Sequence, residues 1–207
     1  MASLSQARTL GEVGAILVLL GLTLGEVGTI LVQLNLTSII GVFIAIAGLI
    51  LILTAVKYIS ELLEDRSVYS YAQIAVALFI VGIVAAQAVL IIEISLSYNY
   101  PATTLTTSVF SSTFLGFLVS ARTILGVFVL VGAIFLRTSY EVIGTRLSLE
   151  LFKKTGPLFL IGVGLTIALG LGFGLLILAA AAIMQVAAFF SLPVQISLNS
   201  PNRTPKQ

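Results

Sequence analysis

The chain has 207 residues, 59% apolar and 9% charged, and its ten Lys and Arg against eight Asp and Glu leave a formal net charge of +2. Soluble domains are about a quarter charged, so with a mean hydropathy of +1.20 water is the wrong solvent for this chain, and so small and scattered a charge excludes a nucleic-acid partner. Cysteine and histidine are absent, which removes disulfides, thiol nucleophiles, N/S metal sites and the commonest general base.

Crossing a hydrocarbon core of about 30 Å takes roughly 20 residues of helix. Several apolar runs of that length follow one another without the alternation of a barrel strand, so the fold class is all-α, a polytopic bundle of transmembrane helices with short loops. The first span is predicted over residues 10–34, after a polar start ending at Arg8, and is interrupted by Glu12 and Glu26. Leu22-Thr23-Leu24-Gly25-Glu26 is a poor cleavage site, so the span is read as retained. Within it, residues 9–18 (TLGEVGAILV) are echoed by residues 23–32 (TLGEVGTILV). Two heptads nearly close on a helix, which puts both glutamates on about the same face some 21 Å apart.

A second span is predicted over residues 38–58, forming a hairpin with the first. Lys57, Glu61, Glu64, Asp65 and Arg66 make a charged connection to a third span over 71–92, whose polar interior residue is Gln87. Residues 93–112, rich in Ser, Thr, Tyr and Asn around Pro101 and free of Lys and Arg, read as an external loop. The fourth span, 113–136, carries Arg122. In residues 137–156, Tyr140, Ile143, Leu147 and Leu151 recur at helical spacing, as in an amphipathic cytoplasmic helix that lies on the membrane or extends the fourth span.

The tract from Pro157 to Pro193 is long for one crossing and short for two, with Gly170, Gly172 and Gly174 at its middle. It is either a hairpin of spans 157–171 and 173–191 or one tilted helix with a close-packing face. A polar tail, 194–207, follows. Cations concentrate in alternate connections and at Arg203 and Lys206 of the tail, and short cytoplasmic loops are enriched in Lys and Arg. That pattern favours six spans over five and puts the N-terminus of this multi-pass chain on the cytoplasmic side of the cell membrane.

Charges inside a bilayer cost at least about 2.5 to 3.5 kcal/mol on insertion scales, so Glu12, Glu26, Gln33, Gln87 and Arg122 are expected to form an intramembrane polar network. In one reading a Glu26–Arg122 pair and glutamine hydrogen bonds lock helices together; in the other, Glu12 and Glu26 are stations on a proton or cation path. Gly21 with Gly25, and Gly170 with Gly174, have the spacing that lets helix backbones approach. Asn35 and Asn202 open N-x-Thr sequons, which are modified only on the external face.

Resemblance to a known family rests on particular strings: Leu10-Gly11-x-x-Gly14-Ala15-Ile16-Leu17, Ala47-Gly48-Leu49-Ile50-Leu51 and Val56-Lys57-Tyr58-Ile59-Ser60 in the first part. Ser139-Tyr140-Glu141, Leu151-Phe152-Lys153-Lys154-Thr155-Gly156 and Ala187-Ala188-Phe189-Phe190-Ser191-Leu192-Pro193 follow later. Through these the chain resembles the chiefly archaeal family catalogued as domain of unknown function 996, relative to which the duplicated fourteen residues look like an insertion. The resemblance implies a small membrane protein and supplies no catalytic residue.

Without His or Cys, enzymatic chemistry is left to Ser, Lys or carboxylates, and no partner base stands beside Ser120; no enzyme activity, cofactor or metal is expected. The expected role is a non-catalytic structural or accessory subunit whose partners are the lipid bilayer and other membrane subunits or a second copy. The alternative is a small proton- or cation-linked transporter or channel using Glu26 and Arg122.

Overall fold

The computed structural model describes residues 3–30, 35–99, 107–169 and 171–193, and side chains within 3–24, 39–89, 123–168 and 176–193, with Ile92. It is all-helical: α1 (Leu4–Ile30), α2 (Asn35–Leu62), α3 (Arg66–Asn99), α4 (Thr107–Arg146), α5 (Glu150–Leu169) and α6 (Leu171–Phe190). Among the described residues five helices contain stretches long and apolar enough to cross a membrane, Leu4–Leu24, Ile39–Leu62, Arg66–Val89, Thr123–Arg146 and Glu150–Ala168. The sixth helix contributes a shorter apolar stretch, Leu176–Phe190.

Each helix packs on its chain neighbours and α6 returns to α1, so the six helices form an up-and-down ring. The hairpins can be read from the glycines. A Cβ on Gly14 would meet the Ile52 backbone nitrogen at 2.9 Å, and one on Gly48 would meet that of Val18 at 2.6 Å, while Gly21 faces Ala45 and Gly41. Contacts that move forward on α1 and backward on α2 define an antiparallel pair. Gly132 against Phe79 and Gly82 against Phe128 do the same for α3 and α4, and Gly156 against Arg137 with Gly126 against Ile167 for α4 and α5.

The last tract is a hairpin, not one long helix. Gly162 faces Leu178, with a built Cβ 3.0 Å from its side chain, whereas sixteen residues along a single helix would stand about 24 Å apart. Gly170, between the two helices, lies outside the described residues.

Helix ends differ from the expected spans for identifiable reasons. α1 starts six residues earlier than residue 10 because the Ser3 hydroxyl accepts the Gln6 N–H at 3.3 Å, an N-cap. α3 starts at Arg66 because the Asp65 carboxylate accepts the Ser67 N–H at 3.0 Å. α5 starts at Glu150, and Pro157, expected to open the span, sits inside it; the proline removes one backbone bond without ending the helix.

Residues 93–112 are not all loop, since α3 runs on to Asn99 and α4 begins at Thr107. Ser, Tyr and Asn lower helix propensity by only tenths of a kcal/mol each, and the first strong breaker is Pro101. The segment 137–156 is not one amphipathic helix either. Its first ten residues finish α4, its last seven begin α5, and a corner at 147–149 separates them. The Tyr140, Ile143, Leu147 and Leu151 stripe faces the protein core, from α4, the corner and α5, instead of a membrane surface.

Both corners at this end use the same device. The Asp65 N–H bonds the Ser60 carbonyl at 3.1 Å and the Leu149 N–H bonds the Gly144 carbonyl at 2.9 Å, the six-to-one closure of a Schellman motif. Glu64 and Ser148 take the left-handed position, with φ of 54° and 56°, at a cost of about 1 kcal/mol each that glycine would avoid.

Large aliphatics are exposed on every helix, among them Ile16, Ile50, Val84, Ile134, Ile161 and Leu176. Among the described residues the fully buried large side chains gather at one end, where α1, α3 and α5 begin and α2, α4 and α6 finish.

Candidate functional site at the charged end of the bundle

The centre of that end is built by all six helices. Ile59 of α2, Val68 of α3, Tyr140 and Ile143 of α4, Phe152 of α5 and Phe189 of α6 are each 0% exposed, beside Ala7 of α1. Three rings stand mutually edge-to-face: Tyr140 with Phe152 at 5.4 Å, Phe152 with Phe189 at 5.2 Å, and Tyr140 with Phe189 at 6.4 Å, with interplanar angles of 85–87°. Edge-to-face pairs add about 0.5–1.5 kcal/mol each beyond the burial of their area. Gly11 of α1 leaves the space that the Phe189 ring occupies. The same glycine admits α1 to the centre without a side chain of its own.

Polar groups inside this centre are paired. The Gln185 side-chain amide donates to the Tyr140 hydroxyl at 2.7 Å. The Ser139 hydroxyl donates to the Val68 carbonyl at 3.0 Å, tying α4 to α3, and the Thr155 hydroxyl returns to the Leu151 carbonyl at 2.7 Å. Such pairing is what burial of an amide and hydroxyls demands, because an unmet group costs about 1–3 kcal/mol.

Around the rim the charges are mostly local. Arg8 and Glu12 close on each other at 2.8 Å, and the Arg8 guanidinium lies 4.1 Å above the Phe190 ring. Asp65 reaches Arg146 across the two corners at 3.8 Å, and Lys153 reaches Glu150 at 3.3 Å. The Ser67 hydroxyl and backbone N–H, aided by Arg146, hold the Asp65 carboxyl below its usual range. A depressed carboxyl stabilises the fold above its ordinary value of 3.8, and that contribution fades as pH falls through the lowered value. Thermal melts at pH 3 and pH 7 are therefore expected to show a smaller difference in Asp65→Asn, which keeps a cap but no charge, than in the native chain; equal differences would exclude Asp65 as the source.

Of the residues singled out in the sequence, Glu12 is half-buried and neutralised by Arg8, and Gln87 is half-buried on α3. The backbones of Glu26 and Arg122 lie in α1 and α4, but their side chains, and hence their pairing, fall outside the described residues. Gln33 and Asn202 fall outside altogether, as do the surroundings of Gly25, Gly174 and Asn35. Gly21 is at a helix contact, where α2 approaches it with backbone atoms of Ala45 and Gly41.

Sequence reasoning missed Gln185, and it did not bring Tyr140, Phe152 and Phe189 to one place. A signal existed: of the strings that carried the family resemblance, those with Tyr140, Phe152 and Phe189 meet here in one cluster, and Gly14 meets Gly48 further along the bundle.

Comparison with known proteins agrees with that resemblance. An uncharacterized protein of Methanocaldococcus jannaschii is 28% identical over 194 residues, covering 92% of this chain and 93% of that protein. No solved structure matches the chain. The family model that matches spans residues 44–183, taking in the Tyr140 and Phe152 strings and leaving out the one around Phe189. The chain thus belongs to the family described as proteins of unknown function, DUF996.

Proposed function

We propose that this is a multi-pass membrane protein, with its charged end in the cytoplasm, that serves as a non-catalytic structural or accessory subunit of a membrane assembly. Two features support the membrane and its sidedness. Aliphatic side chains are exposed on all six helices, as a lipid-facing skin requires. Arg8, Lys57, Arg66, Arg137, Arg146, Lys153 and Lys154 all stand at the end where the α2–α3 and α4–α5 corners lie, in keeping with the enrichment of cytoplasmic loops in cations.

The observation that carries the subunit reading is the packed centre. Six helices close that end of the ring with Tyr140, Phe152, Phe189, Ile59, Ile143 and Val68, so a water-filled route through the ring has to break this fully buried packing.

The test is the native mass and composition of the protein after gentle solubilisation from its own membrane. Stoichiometric recovery with other membrane proteins is expected. Recovery alone, or only as a homo-oligomer, sinks the reading, and ion flux that disappears in Glu26→Gln or Arg122→Gln would replace it with a transporter.

A further inference from the structure

At the charged end one order of charges recurs on three helices. Lys57 and Glu61 on α2, Arg137 and Glu141 on α4, and Glu150 and Lys154 on α5 are pairs four residues apart. In each, the cation stands beside the apolar run and the acid one turn further out.

Helix electrostatics do not explain this. Within a helix an acid is better placed four residues before a cation than after it, and cations are favoured towards the C-terminus. α2 and α4, which run outward, set the cation of the pair before the acid, against the first preference, and α2 carries Glu61 at its end against the second, although Arg146 occupies the last turn of α4; α5, which runs inward, has its acid first. Across these three pairs the order is constant along the bundle axis, as an environment whose charge changes along that axis would make it.

Three tyrosines share the inner tier. Arg137 packs its Cα against Gly156; two residues either side, the Ser139 hydroxyl meets the Val68 carbonyl and Phe135 stacks on Tyr71 at 6.4 Å. Those contacts bring Tyr69 and Tyr71 to the height of Arg137, and Tyr58 follows Lys57. All three tyrosines are partly exposed, and Lys57, Arg137 and Lys154 are exposed. Arg137 and Lys154 have no ion pair among the described residues, and Lys57 only a loose one with Glu61 at 4.0 Å. Exposed aliphatics begin within about two turns inward, at Ile50, Ile134 and Ile161. α1 has the reverse order, but its Arg8–Glu12 pair is closed on itself and adds no net charge.

We propose that Lys57, Arg137 and Lys154, interleaved with Tyr58, Tyr69 and Tyr71, form a belt that seats the headgroups of anionic phospholipids. This rests on the membrane reading above. Arg137 and Lys154 are neighbours across the α4–α5 contact, while Lys57 stands on α2, which packs on α1 and α3; a spread of that width fits a plane of many phosphates and not a single bound anion. Tyrosine, apolar in its ring and polar at its tip, suits that boundary, and the outer acids then project past the lipid phosphates into water.

The purified full-length protein is reconstituted into phosphatidylcholine vesicles containing phosphatidylglycerol, its flotation with the vesicles is checked, and the lipids retained on release are counted by mass spectrometry. Phosphatidylglycerol is expected to be enriched over its bulk fraction, by roughly fivefold less for each cation replaced in Lys57→Gln, Arg137→Gln and Lys154→Gln. Enrichment should persist in the Glu61→Gln, Glu141→Gln, Glu150→Gln variant and in the charge-preserving Lys57→Arg, Arg137→Lys, Lys154→Arg variant. Native protein without enrichment, or a folded triple-glutamine variant that keeps it, overturns the proposal and leaves the membrane reading standing. If the triple-glutamine variant does not fold, the salt response of the native protein decides: enrichment that is unchanged when ionic strength is raised from 0.01 M towards 1 M, where the screening length shrinks from about 30 Å to 3 Å, overturns the belt. Failure to float overturns the membrane reading and the belt with it.

Discussion

Gly48→Leu is expected to lose native packing between α1 and α2, with a destabilisation at or beyond the upper end of the roughly 1–3 kcal/mol typical of overpacked cores. A Cβ at Gly48 already lies 2.6 Å from the Gly14 carbonyl oxygen and 2.6 Å from the Val18 nitrogen. Those are backbone atoms, which no change of rotamer moves. The helix axes must separate, and the contacts of Val18, Ala45 and Ile52 loosen together. Gly14→Leu should do equal damage, and the double variant little more, because both remove one shared approach. Gly164, where a Cβ meets nothing within 4 Å, is the contrast: Gly164→Ala should gain up to about 1 kcal/mol from helix propensity. Thermal unfolding in detergent checks all four. A Gly48→Leu melt close to the native one, or a Gly164→Ala melt as low as that of Gly48→Leu, would show that close approach does not govern this pair.

Much of the architecture was legible because length and apolarity are the signal for a long apolar helix, and chain order with short connections leaves few ways to arrange six helices, five of them with stretches long enough to cross a membrane among the described residues. The helix ends were less legible. Ser3 and Asp65 are weak marks in isolation, and a Ser- and Tyr-rich stretch such as 93–99 reads as loop until its helix is seen continuing to Asn99. The apolar tract opens at Pro157, yet Glu150 and the Leu149 closure have already begun α5 seven residues earlier. The choice between hairpin and single helix after Pro157 needed a tertiary contact, Gly162 on Leu178.

The candidate site was harder to read, for a physical reason. In a soluble helix the polar face marks the outside, so the core can be inferred; here exposed and buried faces are both apolar, and Phe190 and Phe189, adjacent in sequence, are 62% and 0% exposed. Charged residues drew attention instead, and the described one among the intramembrane glutamates, Glu12, turned out to be satisfied by Arg8 one turn away. Gly21 does meet α2 backbone atoms, but the glycines with the clearest backbone contacts also include Gly14 and Gly48, which stand in the sequence only as parts of the internal repeat and of the family resemblance.

Phe152→Ala is expected to cost about 3–5 kcal/mol, the usual range for removing a buried phenylalanine. Lipid is as apolar as leucine, so a membrane-embedded face gains little from being covered by another helix. The aromatic centre is different, because Tyr140 and Phe152 lie beyond the level of Arg137 and Gly156, towards the corners, and on the membrane reading proposed above the alternative to burial there is water, so that each Å² of apolar area contributes about 25 cal/mol. Removing Phe152 also breaks two of the three ring contacts, those with Tyr140 and Phe189. The hydrogen bond inside the cluster separates packing from polar satisfaction. Tyr140→Phe leaves the Gln185 amide without its partner and Gln185→Leu leaves the Tyr140 hydroxyl without its own, so each should cost about 1–3 kcal/mol. The double variant, which removes both polar groups and keeps two apolar side chains of similar size, should recover most of that loss. Unfolding midpoints of the four proteins in one detergent close the cycle. Additive losses would mean that the amide and hydroxyl are not coupled, and a Phe152→Ala loss below about 1 kcal/mol would mean that this end of the bundle is not held by its core, leaving the glycine contacts of the three hairpins to carry the fold.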